Sequence, residues 1–291
     1  MKDIVFLEGI LAAVASQDTQ KRLKAAEDFS NYLSDPSNGI EFIGFDKLLD
    51  GLIGWVNSSN FKISLTGLDL LHQIVDRLGA NFRSHLLPVV PAIIDRLGDS
   101  KQQVRDSSQE LLQKFMYPVS TPQHVLEQLI PAFGHKAWRV REEVLHCLVT
   151  ALNSFGPSSL TISKFVPHIC KLLGDPNSQV RDSAINSLVE IYRHVGEKVR
   201  VDLSKKGIPS SRLSIIYAKF DEAARSGNMA INEPNGSSRL NGEVETDGAK
   251  LSTAAPSRAG SAKKSAPQRK ISGAKTSGSS SNSGTTCLNL N

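Results

Sequence analysis

His168 and Cys170, two positions apart, are a pair of side chains that could hold a metal ion. On a helix that spacing points them to different faces, so they make a poor ligand pair. The seven histidines, at positions 72, 85, 124, 135, 146, 168 and 194, are otherwise scattered. No Gly-rich phosphate loop, G-x-S-x-G, H-E-x-x-H or Cys-x-x-Cys motif occurs. No serine is set apart as a nucleophile. The residues therefore point away from an enzyme, and no cofactor or metal is expected. What remains is binding chemistry, carried by aromatic and basic residues in short polar turns. Trp55-Val56-Asn57-Ser58-Ser59-Asn60-Phe61-Lys62 is one such stretch. Ser100-Lys101-Gln102, Lys136 with Trp138 and Arg139, and Asn177-Ser178-Gln179 are others. Aromatic anchors mixed with cations suit a protein-binding hot spot. Trp55 continues an apolar helix and reads as core, whereas Trp138, between Lys136 and Arg139, is the better candidate for an exposed anchor.

The elements that must position these turns are helices. The chain has 291 residues with a formal charge of +5. Residues 1–226 hold 26 Lys+Arg against 25 Asp+Glu, whereas 227–291 hold 8 against 4. The basic balance thus belongs to the C-terminal part, and nucleic-acid binding does not follow from it. Three cysteines, Cys147, Cys170 and Cys287, argue for a reducing compartment and against a disulfide framework. Lys2 ahead of an apolar stretch ending in Ala13-Val14-Ala15-Ser16 mimics a signal peptide, but Asp3 and Glu8 spoil the mimicry. An amphipathic helix is the better reading there. The apolar run Leu86–Ile94 holds two prolines and is far shorter than the roughly 20 residues of a membrane span. A soluble protein of the cytoplasm is expected.

Composition changes near residue 227. From there to Asn291 no Phe, Trp or Tyr occurs, and Ser, Gly, Ala, Asn and Lys dominate. Such a segment buries too little apolar surface to offset its ordering entropy, so 227–291 is expected to be a disordered tail. Arg258, Lys263, Lys264, Arg269, Lys270 and Lys275 lie in it without an intervening acid. They form an electrostatic tether for an acidic surface. With no ring to stack on bases, they offer weak, sequence-blind contact at most to nucleic acid. Arg269-Lys270-Ile271-Ser272 also fits a basic-directed kinase site, and phosphate there would remove about 1.5 to 2 units of positive charge.

Residues 1–226 show amphipathic runs of 12–18 residues with short breaks. Gly98-Asp99-Ser100-Lys101-Gln102-Gln103-Val104-Arg105-Asp106 nearly coincides with Gly174-Asp175-Pro176-Asn177-Ser178-Gln179-Val180-Arg181-Asp182. Gly134–Glu142 aligns with both. Each follows an apolar helix containing a proline: Pro91, Pro131 or Pro167. Each precedes a helix with core positions four apart: Val104/Ser108/Leu112, Val140/Val144/Leu148 and Val180/Ala184/Leu188. One column then reads Arg22, Ser64, Arg105, Arg141, Arg181, with spacings of 42, 41, 36 and 40. A final pair covers about 197–225, with Pro209 opening its second helix. Two-helix units of about 40 residues predict an all-α HEAT or armadillo solenoid of six repeats. The Asp-to-Arg offset of six in Asp99/Arg105 and Asp175/Arg181 suggests a ladder between neighbouring repeats.

Gly51–Lys62, Ile94–Gly98 and, above all, Val166–Lys206 carry a family resemblance. Residues 1–226 resemble the N-terminal TOG domain of the CLIP-associating (CLASP) microtubule stabilisers. The resemblance implies a six-repeat HEAT paddle whose intra-repeat turns bind the tubulin dimer or the microtubule lattice. It implies stabilisation and rescue of microtubules, in the cytoplasm and on the cytoskeleton, at plus ends, kinetochores and cortex. Proteins of those places are further partners it implies. Specific nucleic acid and membrane insertion are not implied. The residues it assigns to the partner are Lys21, Arg22, Phe61, Lys62, Lys101, Lys136, Trp138, Arg139, Asn177 and Arg181. Two departures matter. The first turn, Gln17-Asp18-Thr19-Gln20-Lys21, lacks the tryptophan that strong tubulin-binding TOG domains carry. Lys206-Gly207-Ile208-Pro209 lacks the Ser of the family's Ser-x-Ile-Pro plus-end motif. A HEAT scaffold for a regulatory protein other than tubulin stays open as the alternative.

Overall fold

A computed structural model describes residues 2–227 together with Met229 and Ala230. Twelve α-helices occur among them, in six antiparallel pairs. They are α1 (Lys2–Val14) with α2 (Thr19–Ser34), α3 (Phe45–Val56) with α4 (Phe61–Leu78), and α5 (Leu86–Arg96) with α6 (Gln102–Lys114). Then come α7 (Pro122–Gln128) with α8 (Trp138–Phe155), α9 (Val166–Leu172) with α10 (Ser178–Val195), and α11 (Lys198–Ser204) with α12 (Ser210–Arg225). The described residues contain no strand, and the six-repeat HEAT solenoid is the fold.

The second helices of the pairs form one layer, with α2, α4, α6, α8, α10 and α12 packed in succession. Their four-residue apolar steps produce this layer. Val104, Ser108 and Leu112, Val140, Val144 and Leu148, and Val180, Ala184 and Leu188 are all buried. A two-helix unit has apolar faces on both sides, so each repeat finishes its core only against its neighbours. Phe29, Trp55, Phe82, Phe115, Phe165 and Phe220 are fully buried along the stack. Leu7, Ile10 and Val14 bury the inner face of α1, as an amphipathic helix requires.

Gly67 marks a close approach between the two helices of the second repeat. A Cβ there would sit 3.1 Å from both Trp55 Cβ and the Val56 backbone nitrogen. The bare backbone lets α4 lie directly on the end of α3.

Several expectations need correction. The first helices of the later repeats are short: α7, α9 and α11 have seven residues each. Pro131 lies not in a helix but in the 3-10 segment Ile130–Gly134. Proline lacks an N–H and crowds the preceding turn, so α7 ends at Gln128. Pro91 does sit inside α5. Phe61, Lys62, Trp138 and Arg139 are the opening residues of α4 and α8 rather than turn residues. The described chain also runs past residue 226. Met229 packs on the core, and the Ala230 amide donates to the Arg193 carbonyl at 2.9 Å. The tail with Arg258, Lys263, Lys264, Arg269, Lys270, Lys275 and Ser272 lies outside the described residues.

Substituting Gly67→Val forces three side-chain carbons into the α3–α4 contact. We expect a loss of about 1–3 kcal/mol in urea unfolding. A midpoint equal to wild type would show that the α3–α4 approach is not close-packed.

Candidate functional site

The first, second, third and fifth intra-repeat turns share an Asp or Asn acceptor for a backbone amide. Asp18 Oδ1 accepts the Gln20 amide at 2.9 Å and so caps α2. Asn60 caps α4 through the Lys62 amide at 3.0 Å, and Asn177 caps α10 through Gln179 at 2.9 Å. Asp99 Oδ1 accepts the Lys101 amide at 2.8 Å, and Asp175 Oδ1 accepts that of Asn177 at 2.9 Å. Asp18, Asn60 and Asn177 thus satisfy helix N–H groups that have no partner in the helix, and Asp99 and Asp175 satisfy the amide of the residue before the helix.

The arginine column closes the first, third, fourth and fifth turns from below. Arg22 Nε donates to the Ser16 carbonyl, six residues earlier. Arg105 Nη1 does the same to Asp99 O at 2.9 Å, Arg141 Nη1 to His135 O at 2.7 Å, and Arg181 Nη1 to Asp175 O at 2.8 Å. Arg141 and Arg181 also reach the next carbonyl, at 3.2 and 3.0 Å. In the second repeat Ser64 takes this place, fully buried, and its Oγ donates to Val56 O at 2.8 Å. The guanidinium fork has donors enough to bind a turn and still face a neighbour. Arg141 uses the rest of its fork on the Asp175 carboxylate, at 2.6 and 2.8 Å. Arg105 Nε meets Glu143 Oε1 of the next repeat at 3.2 Å.

The expected Asp–Arg ladder is therefore real but differently wired. Within a repeat, Arg105 and Arg181 hold the aspartate's backbone carbonyl, not its carboxylate. Across repeats the pairs are Arg141–Asp175 and Arg105–Glu143. Hydrogen bonds from Arg141 hold the Asp175 carboxyl below the usual carboxylate range, against the opposing effect of burial. Burial pushes the Glu143 carboxyl up, but bonds from His146 and Gln109 and the charge of Arg105 bring it below its ordinary value.

With the turn acids occupied, the cations face outward. Lys21, Lys62, Lys101, Lys136 and Arg139 are exposed. Lys101 Nζ lies 5.4 Å from the centre of the Phe61 ring, joining the second and third turns. Phe61 is 38% exposed. Arg139 lies 4.5 Å over Trp138, which is half-buried against the core. Trp55 is 1% exposed and its Nε1 donates to Val14 O at 3.0 Å, so it is a core residue beneath the first turn. Arg22 sits 5.9 Å over its ring.

The residues expected at the partner surface thus divide. Phe61, Lys62, Lys101, Lys136, Trp138, Arg139 and Lys21 lie on the turn edge. Arg22, Asn177 and Arg181 spend hydrogen-bonding groups on holding turns. No group of three or more His, Cys, Asp or Glu side chains placed to hold a metal ion occurs among the described residues. Burial pushes the Cys147 thiol up, and the thiol donates to Gln109 Oε1 at 3.1 Å. The sixth turn adds Lys205 and Lys206, both exposed, and Arg212 beside them. The Lys-Lys pair ahead of Gly207 was the signal for them in the sequence.

Residues 19–206 match the family model described as XMAP215/Dis1/CLASP, TOG domain. The chain belongs to the TOG-domain family. CLIP-associating protein 1 of Xenopus tropicalis is 49% identical to it over 252 residues, 85% of this chain and 17% of the relative. The chain thus spans less than a fifth of that relative's length. The solved MAST/Orbit N-terminal domain is 38% identical at a TM-score of 0.70, covering 74% of this chain and 96% of that one. A solved domain of crescerin is 25% identical at a TM-score of 0.62, covering 69% and 84%. Crescerin is described as using a TOG domain array to regulate microtubules in the primary cilium.

Replacing Arg141 by alanine leaves Asp175 buried without its partner and opens the fourth turn. We expect a loss of about 3 kcal/mol at neutral pH in denaturant unfolding of this TOG domain. Asp175 has a lowered folded pKa, so the pair stabilises above the unfolded value and is lost as pH falls through the folded one. The gap between wild type and R141A should therefore narrow below about pH 4. A gap that widens on acidification would refute the assignment.

Proposed function

We propose that this TOG domain is a non-enzymatic binding module that contacts tubulin through its turn edge and so serves microtubule stabilisation and rescue. The observation carrying this reading is the sorting of charge on the edge. Asp18 caps α2 and Asp99 and Asp175 hold turn amides, while Lys62, Lys101, Lys136 and Arg139 stay exposed. Two of those cations lie against aromatic rings that add apolar contact. Tubulin is acidic, so such a rim adds complementarity and association rate more than affinity. Family membership and crescerin's link to microtubules support the same partner.

The first turn sets a limit on strength. No aromatic lies at Gln17–Lys21, and Trp55 beneath it is held in the core by its bond to Val14. The domain then binds free tubulin weakly, and the cations of 227–291 assist attachment to the lattice by raising the effective concentration. We place the chain on the microtubule cytoskeleton in the cytoplasm, at spindle, kinetochore or cortex. The same first turn favours one second reading, a HEAT scaffold for another regulatory, kinetochore or cortical protein.

The test uses the full chain with Lys136→Ala and Arg139→Ala together, measured against free tubulin and assembled microtubules at two salt concentrations. Both side chains are exposed, so helical content should hold. Association at low salt should fall about three- to tenfold, with a shallower salt dependence. Unchanged binding by a folded double variant would refute the turn-edge assignment and favour the scaffold reading.

A further inference from the structure

At the sixth repeat a groove of about 350 Å³ opens between α9 and the turn joining α11 to α12. Its floor is apolar, made by Pro167, Leu173, Ile208 and Pro209, with the half-buried Cys170. Its rim is basic, made by Lys171, Lys206 and Arg212. Arg212 reaches across from α12 to the fifth turn, where its Nη1 lies 3.8 Å from the place a Gly174 side chain would occupy. Among the described residues none of the three rim cations pairs with a carboxylate. The contrast with Arg200 of α11 is sharp. Arg200 is matched by Asp221 at 2.6 Å and Glu197 at 3.0 Å, and stacks on Tyr217 at 4.9 Å. No side chain caps α12, so its positive end also faces this region.

We propose that this groove docks an acidic segment of a partner protein, with an apolar side chain on the Pro167/Ile208 floor and flanking carboxylates on Lys171, Lys206 and Arg212. Charge complementarity selects the sign of the segment. The floor selects a peptide over a small anion, because a phosphate would leave the apolar lining uncovered. The groove has no aromatic lining on which a base could stack, which disfavours single-stranded nucleic acid. The groove shares no lining residue with Lys136 and Arg139, so variants of the two sets are read separately.

Cys170 supplies a reporter on the groove floor. Burial raises its thiol pKa, partly offset by the charge of Lys206, so we expect slow alkylation that a docked segment slows further. Cys147 is 1% exposed and silent on the same timescale. The experiment uses the full chain with Cys287→Ser. The probe is a fluorescein-labelled peptide of glutamates around one central leucine, with an all-glutamate peptide of equal length as the comparison. We expect salt-sensitive binding by anisotropy and slower alkylation of Cys170 by N-ethylmaleimide at saturation. The K206E/R212E variant should bind about tenfold more weakly or worse. K198E, outside the groove, should bind as wild type does. K171E/K206E, both at exposed positions, replaces K206E/R212E if Arg212 proves necessary for folding. Equal binding by the charge-reversed variant, or unprotected Cys170 at saturation, would overturn the proposal. So would equal affinity for the all-glutamate peptide. None of these outcomes bears on the Lys136 and Arg139 test.

Discussion

A guanidinium bound to a carbonyl six residues earlier is the contact on which the rest of this solenoid depends. A tight turn between antiparallel helices leaves carbonyls at the end of one helix and amides at the start of the next. Asp and Asn side chains serve the amides. The carbonyls need a donor from below, and Arg22, Arg105, Arg141 and Arg181 provide it. A lysine could not do this and also hold a neighbouring repeat, because its ammonium is a single point on a flexible stem. Arg141 binds the fourth turn and the Asp175 carboxylate together, so the shape of one turn and its spacing from the next are fixed by one side chain.

The face of the domain follows from that constraint. Residues 1–226 are nearly neutral by count, so no basic surface follows from composition. Bonds to turn amides draw Asp99 and Asp175 into the turns and leave Lys101 and Lys136 outside. A charge balance close to zero thus separates into an engaged acidic layer and an outward basic edge. The sixth turn is basic for a different reason: Lys205 and Lys206 are exposed and no side chain caps α12.

Much of the architecture was legible from periodicity. Core positions four residues apart marked the second helices, and all nine positions aligned across the third, fourth and fifth repeats are buried. The arginine column was visible too, because a side chain with one task in every repeat recurs at one place. Its task was not visible. An Asp six residues before an Arg suggests a carboxylate pair, whereas the fold brings the guanidinium to the carbonyl of that aspartate. Helix length failed where proline intervened, at Pro131 in particular. Trp55 and Trp138 show the limit for single residues. Trp55, read as core because it continues an apolar helix, does bond Val14 from the interior, whereas Trp138, read as the exposed anchor, stays half-buried under Arg139.

The aromatic contacts on the edge also set how such a surface can bind. Lys101 over Phe61 joins two repeats, and at an exposed position a contact of this kind is worth about 0.5–1 kcal/mol. That is enough to orient the ammonium and too little to neutralise it, so its outer side stays available to a carboxylate. Arg139 over Trp138 is arranged alike within one repeat. The rings hold the cations in place before a partner arrives, which lowers the ordering cost of binding. They also remain covered by those cations, so less apolar surface is left to anchor a partner. An edge of this construction favours rapid, salt-sensitive association over a long-lived complex.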